Sequence, residues 1–348
     1  MSATAPILIE QARGDYTENY HRGSVAIANA NGDLLFSLGD PEERPFTRSS
    51  MKPIQALPFV EMWGEEVSME EIAIACASHS GEEIHRRTVA RILDRINATP
   101  DKLQCGVQIP MDEETKRELI RTGRSPDVLH HNCSGKHSAM LATAYKYGEP
   151  FEEYFLPEHP VQQRIRARVA RYCEDTLTDI ATAMDHCSVV TWGPTLRGMA
   201  TAYARLGEQS GRFGKNVELV RRAMTGFPEY VAGSHKRIDT DLMRFCGGLL
   251  AKAGAAGYYS MGWHDSSTGM GLGIAIKMWD GDPIARDALS VCMLEGLGIL
   301  PEHWGSKTGW GAREVKNFAG RHVGEIRASL TLKQALKQFT SPVSTRLF

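Results

Sequence analysis

GSVAIANANGDLLFSLG, residues 23–39, holds two apolar runs on either side of Asn31-Gly32. An Asn-Gly pair between such runs predicts a type I′ turn, and so a β-hairpin. Upstream, ILIEQARG (7–14) predicts another strand. Two more are predicted late in the chain, GYYSMGW (257–263) and GLGIAIKMWDG (271–281), joined by a Ser/Gly loop. Between these ends the apolar spacing is helical. It predicts helices at 69–77, 84–98, 114–123, 134–148, 160–177, 195–206, 215–224 and 238–253, with another at 283–300 and a mixed tail from 301. Strands that open a chain and return near its end can pair in one sheet. The predicted class is therefore α+β: an antiparallel sheet from both chain ends (about 5–40 and 250–330), helices packed on it, and a mainly helical subregion over about 50–245. Residues 1–348 are expected to form a single catalytic unit.

Composition narrows the function classes. Of 348 residues, 42% are hydrophobic and 24% charged, enough for a substantial core. The net charge is −2 with acids and bases interleaved, which argues against a nucleic-acid or membrane-surface partner. No apolar run approaches the ~18–20 residues of a membrane span, and the N-terminus lacks a secretory pattern. Seven cysteines without a framework spacing then favour free thiols and a cytoplasmic location.

FTRSSMKPIQALPF (46–59) places Ser49 three residues before Lys52, with Pro53 behind. Proline is tolerated only in a helix's first turn, so a helix should start within about 49–51. Ser49 then sits at a helix mouth, where free N–H groups can hold an oxyanion. A serine hydroxyl needs a base to attack an acyl carbon, and a lysine of depressed pKa can serve. Alone the motif is weak: roughly one Ser-x-x-Lys is expected here by chance, and a serine N-cap beside a surface lysine reads equally well. A second lysine commonly arrives from a strand in a Lys-Thr-Gly-like triplet. Two triplets exist, Lys252-Ala253-Gly254 before the predicted strand at 257 and Lys307-Thr308-Gly309 in a Gly/Trp-rich stretch. Lys252 has the expected order of triplet, strands and closing helix; Lys307 reads as a loop residue.

Two further polar clusters stand out. ACASHSGEEIH (75–85) leaves a small-residue helix through Ser78-His79-Ser80-Gly81, a composition suited to a site wall or to capping the next helix. HHNCSGKH (130–137) precedes a helix, and DHCS (185–188) supplies Cys187 far along the chain. Together they suggest a metal site, with a capped helix and a buried thiol as the plainer alternative. No phosphate-binding loop, His-Glu-x-x-His, Cys-x-x-Cys or Gly-x-Ser-x-Gly motif is present. GMGLGIA (269–275) enters a strand, which rules out a dinucleotide fingerprint on context.

In order, HRGSVAI (21–27), FTRSSMKPIQALP (46–58), ASHSGE (77–82), HNCSGKH (131–137), AGSHKRIDTDLM (232–243), AKAGAAG (251–257), GLGIAIKMWDG (271–281) and NFAGRHVGEIR (317–327) resemble the asparaginase II family, the rhizobial-type L-asparaginases. The resemblance implies a fold like that of serine β-lactamases and glutaminases, hydrolysis of L-asparagine to L-aspartate and ammonia, and a homodimer. By motif it implies two Ser–Lys pairs, Ser49 with Lys52 and Ser80 with Lys252, and a zinc ion on Cys133, Lys136 and Cys187. The chain departs from the family pattern at His186, Val189-Val190, Ala256 and Gly233-Ser234-His235-Lys236.

The expected chemistry is double displacement. Ser49 attacks, Lys52 takes its proton, and Ser80 with Lys252 passes a proton to the leaving ammonia, or the two pairs exchange these roles. Arg48 or Lys136 is expected to hold the substrate carboxylate. Asp185, with Glu82 in reserve, is expected to hold its ammonium. The alternatives are a glutaminase or β-lactam hydrolase on the same scaffold, or a metal-binding protein without catalysis.

Overall fold

The chain turns at Asn31-Gly32, but not as the expected type I′ turn, since Gly32 has a positive φ and Asn31 does not. Gly32 takes a φ of 94° and Asn29 Oδ1 accepts from the amides of Asn31 (2.9 Å) and Asp33 (3.0 Å). The computed structural model describes residues 5–265 and 269–339. Its strands are β1 (Ile7–Arg13), β2 (Tyr16–Asn29), β3 (Leu34–Leu38), β4 (Ala181–Met184), β5 (Val190–Gly193), β6 (Leu250–Ala253), β7 (Tyr258–Asp265), β8 (Met270–Met278), β9 (Arg313–Lys316) and β10 (His322–Ala328). The main sheet runs β6-β7-β8-β2-β1-β10-β9, with β3 added on β2. Its pairs are antiparallel, and Ile9 lies opposite Ala328. The two chain ends thus meet in one α+β sheet, as predicted.

Three differences matter for the site. The helix expected over 238–253 stops at Phe245. Cys246 is already extended and Gly248 is left-handed (φ 94°), so the chain turns and Lys252 lies within β6. The mixed tail contains β9 and β10, whose short charged runs gave little period-2 signal. The hairpin β4–β5 was also unforeseen; four-residue strands are too short to register as a pattern. It carries Asp185–Ser188 at its tip. The Ser/Gly loop at 266–268 lies outside the described residues.

The helix Leu196–Gly207 packs on β2, β7 and β8. A side chain at Gly273 would place its Cβ 1.8 Å from the Ala200 carbonyl oxygen. Gly271 and Gly273 therefore serve close helix–sheet packing, within a strand instead of at the opening of a helix. A second helix, Pro283–Gly296, packs on β1, β8 and β10. Among the described residues no helix is long and apolar enough to cross a membrane.

Candidate active site

The Ser-x-x-Lys stretch begins as a 3-10 turn, Arg48–Met51, and continues as the short helix Lys52–Gln55 with Pro53 in its first turn. Thr47 anchors the entry: its amide and hydroxyl both donate to the Trp192 carbonyl of β5 (3.0 and 2.9 Å). Ser50 Oγ donates to the Lys252 carbonyl of β6 (2.9 Å), and Tyr203 Oη donates to the Ser50 carbonyl (2.7 Å). Beside this contact a Cβ at Gly254 would lie 2.7 Å from the Thr47 carbonyl oxygen, so only glycine lets β6 close on the turn. These ties bring residues two hundred positions apart into one pocket.

Both lysines are buried, Lys52 1% and Lys252 0% exposed. Lys52 Nζ donates to the Ala77 carbonyl (2.5 Å), Ser78 Oγ (2.9 Å), Cys133 Sγ (3.2 Å) and the Asn132 carbonyl (3.4 Å). Lys252 Nζ lies 3.0 Å from Ser78 Oγ, 2.9 Å from the Ala253 carbonyl and 3.7 Å from Asp239 Oδ2. Ser78 therefore joins the two amines through one hydroxyl. Burial pushes the Lys252 amine down to about 7; Lys52 and Arg237 push the same way and Asp239 opposes them. Asp239 is itself buried, its Oδ1 accepting from Tyr259 Oη (2.7 Å) and the Ala253 amide (3.1 Å).

The expected pairing of Ser80 with Lys252 is replaced by Ser78 with Lys252, and among the described residues Lys52 Nζ is bonded to Ser78 Oγ and not to its expected partner Ser49. Ser80 Oγ donates to the Ala232 carbonyl (2.9 Å) and accepts from Arg237 Nη1 (2.9 Å). It is an anchor for the 232–237 loop. Glu82 anchors the same loop, accepting from the Ser234 amide (2.8 Å), and it lines neither cavity described below.

Ser49 stands at the junction of two cavities. One, of about 190 Å³, is walled by Arg48, Asp185 and His186. The other, of about 350 Å³, contains Ser78, Arg237 and Asp239. Both are bordered by Ser49, Asn132 and Ala255. Among the described residues the amides of Ser49 and Ala255 have no hydrogen-bond partner, and neither has Ser49 Oγ. Arg48 holds a left-handed φ of 50° and reaches Asp185 Oδ1 through Nε (2.9 Å) and Nη2 (2.5 Å). The two residues expected to bind opposite ends of a substrate thus meet each other. Arg48 Nη1 and Asp185 Oδ2 take no part in that contact.

Cys133, Lys136 and Cys187 also converge. Cys133 Sγ donates to Asn132 Oδ1 (3.1 Å), and Lys136 Nζ lies 3.1 Å from Cys187 Sγ. The neighbouring Cys133 thiol draws the Cys187 thiol well below its ordinary value, against burial and with help from Lys136; the Cys133 thiol moves up correspondingly. Burial alone would lower Lys136, but Cys187, Cys133 and Asp185 together raise it. His186 is exposed and sits 3.0 Å from Arg48 Nη2 through Nδ1, on the cavity that Cys133 and Cys187 also line. Lys307 is an exposed residue of the helix Trp304–Thr308 and borders neither cavity.

A buried Lys–Ser–Lys chain that shares a cavity with a serine at a helix mouth holds the groups that acyl transfer requires: a hydroxyl and amines able to take up and return its proton. The L-asparaginase II family profile matches residues 9–328. The chain belongs to the L-asparaginase II family. It is accordingly an amidohydrolase. Among curated proteins no relative matches. Solved structures with overlapping chains include a Bacillus subtilis glutaminase in covalent complex with 5-oxo-L-norleucine (14% identity, TM-score 0.34, covering 79% of this chain and 86% of that one). A probable glutaminase from the same organism, complexed with 6-diazo-5-oxo-L-norleucine, overlaps at 14% identity and TM-score 0.36, over 83% and 85% of the two chains. At these TM-scores the overlap is too loose to transfer a site.

For this asparaginase II chain, sequence reading missed Ser78 as the bridging hydroxyl, Asp239 and Arg237 as its charged surroundings, and Ala255 as a free amide. Ser78 and Ser80 are two residues apart in one Ser-His-Ser-Gly run, and nothing local distinguishes them. Ala255 carries no side-chain signal at all. Asp239 lay in the quoted AGSHKRIDTDLM run, where one buried acid beside a buried lysine could have been sought.

Proposed function

We propose that the protein hydrolyses L-asparagine to L-aspartate and ammonia through an acyl-enzyme on Ser49. The observation that carries this reading is the Lys52–Ser78–Lys252 chain next to a serine whose hydroxyl faces open space. Burial, with Lys52 nearby, brings the Lys252 amine down to about 7, and the Ser78 hydroxyl can pass a proton between the two amines. Ser49 attacks the side-chain amide carbon and its proton passes to the lysine pair, where the lowered Lys252 amine can hold it. The Ser49 and Ala255 amides receive the oxyanion, where loss of one donor costs about 3–4 kcal/mol. Ser78 then protonates the leaving nitrogen and is re-protonated by a lysine. Water repeats the cycle on the ester and releases aspartate.

The smaller cavity suits the amino-acid end. A substrate α-carboxylate can take Arg48 Nη1 and an α-ammonium Asp185 Oδ2, the two atoms their mutual ion pair leaves open. Cys133, Lys136 and Cys187 fit a zinc ion chemically: two buried sulfurs and one amine form a soft donor set, provided Lys136 sheds its proton. Bound there, zinc would fix the β4–β5 tip and add positive charge beside Arg48. We also propose that the chain acts in the cytoplasm, as a homodimer and a single catalytic unit; family membership supports the dimer.

Ammonia release from asparagine and from glutamine, compared in wild type and Ser49→Ala, tests the reading. Asparagine is expected to be the better substrate, with turnover lost in Ser49→Ala by about 10⁴-fold or more. Wild type silent toward asparagine but active on glutamine or a chromogenic β-lactam would overturn the substrate assignment.

A further inference from the structure

Ammonia needs little room to leave, yet the cavity on the Ser78 side is the larger of the two at Ser49. Its volume of about 350 Å³ is that of a site for a whole small molecule, typically 300–1,000 Å³. Only this cavity contains Ser78, the group placed to protonate the departing nitrogen. The space beyond Ser78 is therefore where a substituent on that nitrogen would lie.

The walls state what such a substituent should be. Trp310, Met111 and Pro283 supply apolar surface. Four of the cavity's charged side chains are spoken for. Arg286 binds Asp287 (2.6 and 2.8 Å) and the Gly254 carbonyl (3.0 Å), and Arg237 binds the carbonyls of Ser78 and Ala232 (both 2.9 Å). Asp239 is held by Tyr259 and the Ala253 amide. Lys236 is exposed and has no ion-pair or hydrogen-bond partner among the described residues. It is held at a left-handed φ of 52° by the loop that Ser80, Glu82 and Gly233 fasten down; a Cβ at Gly233 would strike Ser80 Oγ at 2.2 Å. An apolar wall with one unpaired cation fits an amino acid bound through its carboxylate.

We propose that the cavity is a leaving-group subsite and that the enzyme hydrolyses β-aspartyl dipeptides, in which the asparagine side-chain nitrogen carries a second amino acid. This rests on the aspartyl group occupying the smaller cavity, as argued above. Ser49 Oγ bonds to the side-chain carbonyl carbon, the C–N bond breaks, and the leaving α-amine takes its proton from Ser78. Water then cleaves the ester to aspartate.

Aspartate release from asparagine, β-aspartylglycine and β-aspartylglycinamide, by wild type and by Lys236→Glu, tests the proposal. The dipeptide is expected to be cleaved, and to be preferred over its amide in kcat/KM by on the order of fivefold, a surface ion pair's worth. Lys236→Glu should abolish or invert that preference, with asparagine turnover in the same preparation reporting on its folding. Asparagine cleaved and the dipeptide untouched overturns the proposal and leaves the asparaginase reading standing. Neither cleaved overturns both. Cleavage with no preference for the free carboxylate overturns the role of Lys236.

Discussion

Replacing Ser78 with alanine is expected to lower asparagine turnover by about 10²–10⁴-fold, the usual loss when a positioned proton-transfer group is removed. Among the described residues the hydroxyl is the only atom shared by Lys52 Nζ (2.9 Å) and Lys252 Nζ (3.0 Å), so its loss cuts the path between the amines and takes away the acid for the leaving nitrogen. Ser80→Ala serves as the control. Its hydroxyl meets the Ala232 carbonyl and Arg237, and its removal should cost about 1–2 kcal/mol of stability with kcat within a fewfold of wild type. Steady-state ammonia release and thermal melts of both variants check this. A Ser80→Ala enzyme crippled in kcat beside an active Ser78→Ala enzyme would reverse the assignment.

The second large effect is on Lys252. Its amine sits at about 7 because burial disfavours the charged form. Below that pH the Lys252 amine is protonated and can take up no further proton, so kcat/KM should fall about tenfold per pH unit on the acid side and level off above. Lys252→Met, similar in volume and unable to take a proton, should lose about 10³-fold or more and abolish this acid limb in whatever rate remains. Stability should move the other way. An amine lowered in the folded state binds fewer protons than in the unfolded chain between about 7 and its ordinary value near 10.5, so lysine's contribution rises with pH across that window and is poorest below it. Lys252→Met is thus expected to melt no lower than wild type at pH 6 despite being inactive. A wild-type profile flat from pH 5 to 8 would contradict the assignment.

How much of this was legible beforehand depended on the distance over which the signal acts. The 23–39 hairpin, the strand at 7–14 and the late strand pair were readable because turn chemistry and alternation act over a few residues. Lys252 over Lys307 was also readable, from element order alone. The partner of Lys252 was not: whether Ser78 or Ser80 faces it depends on how the chain leaves the helix Met69–Ala75 and on Arg237, 157 residues from Ser80, which claims Ser80 first. The β4–β5 hairpin escaped for a related reason. Its strands are four residues long, and its value lies in delivering Asp185 to Arg48, 137 residues away. Asp185 and Arg48 were both singled out from sequence, yet their mutual ion pair belongs to tertiary structure.

The central claim is that Ser49 makes the covalent bond while Ser78 only carries protons. Inactivation with 5-diazo-4-oxo-L-norvaline, an asparagine analogue bearing an alkylating carbon, followed by peptide mapping by mass spectrometry, addresses it directly. One adduct is expected, on the hydroxyl of Ser49, with none formed by Ser49→Ala. An adduct on Ser78 would contradict the account.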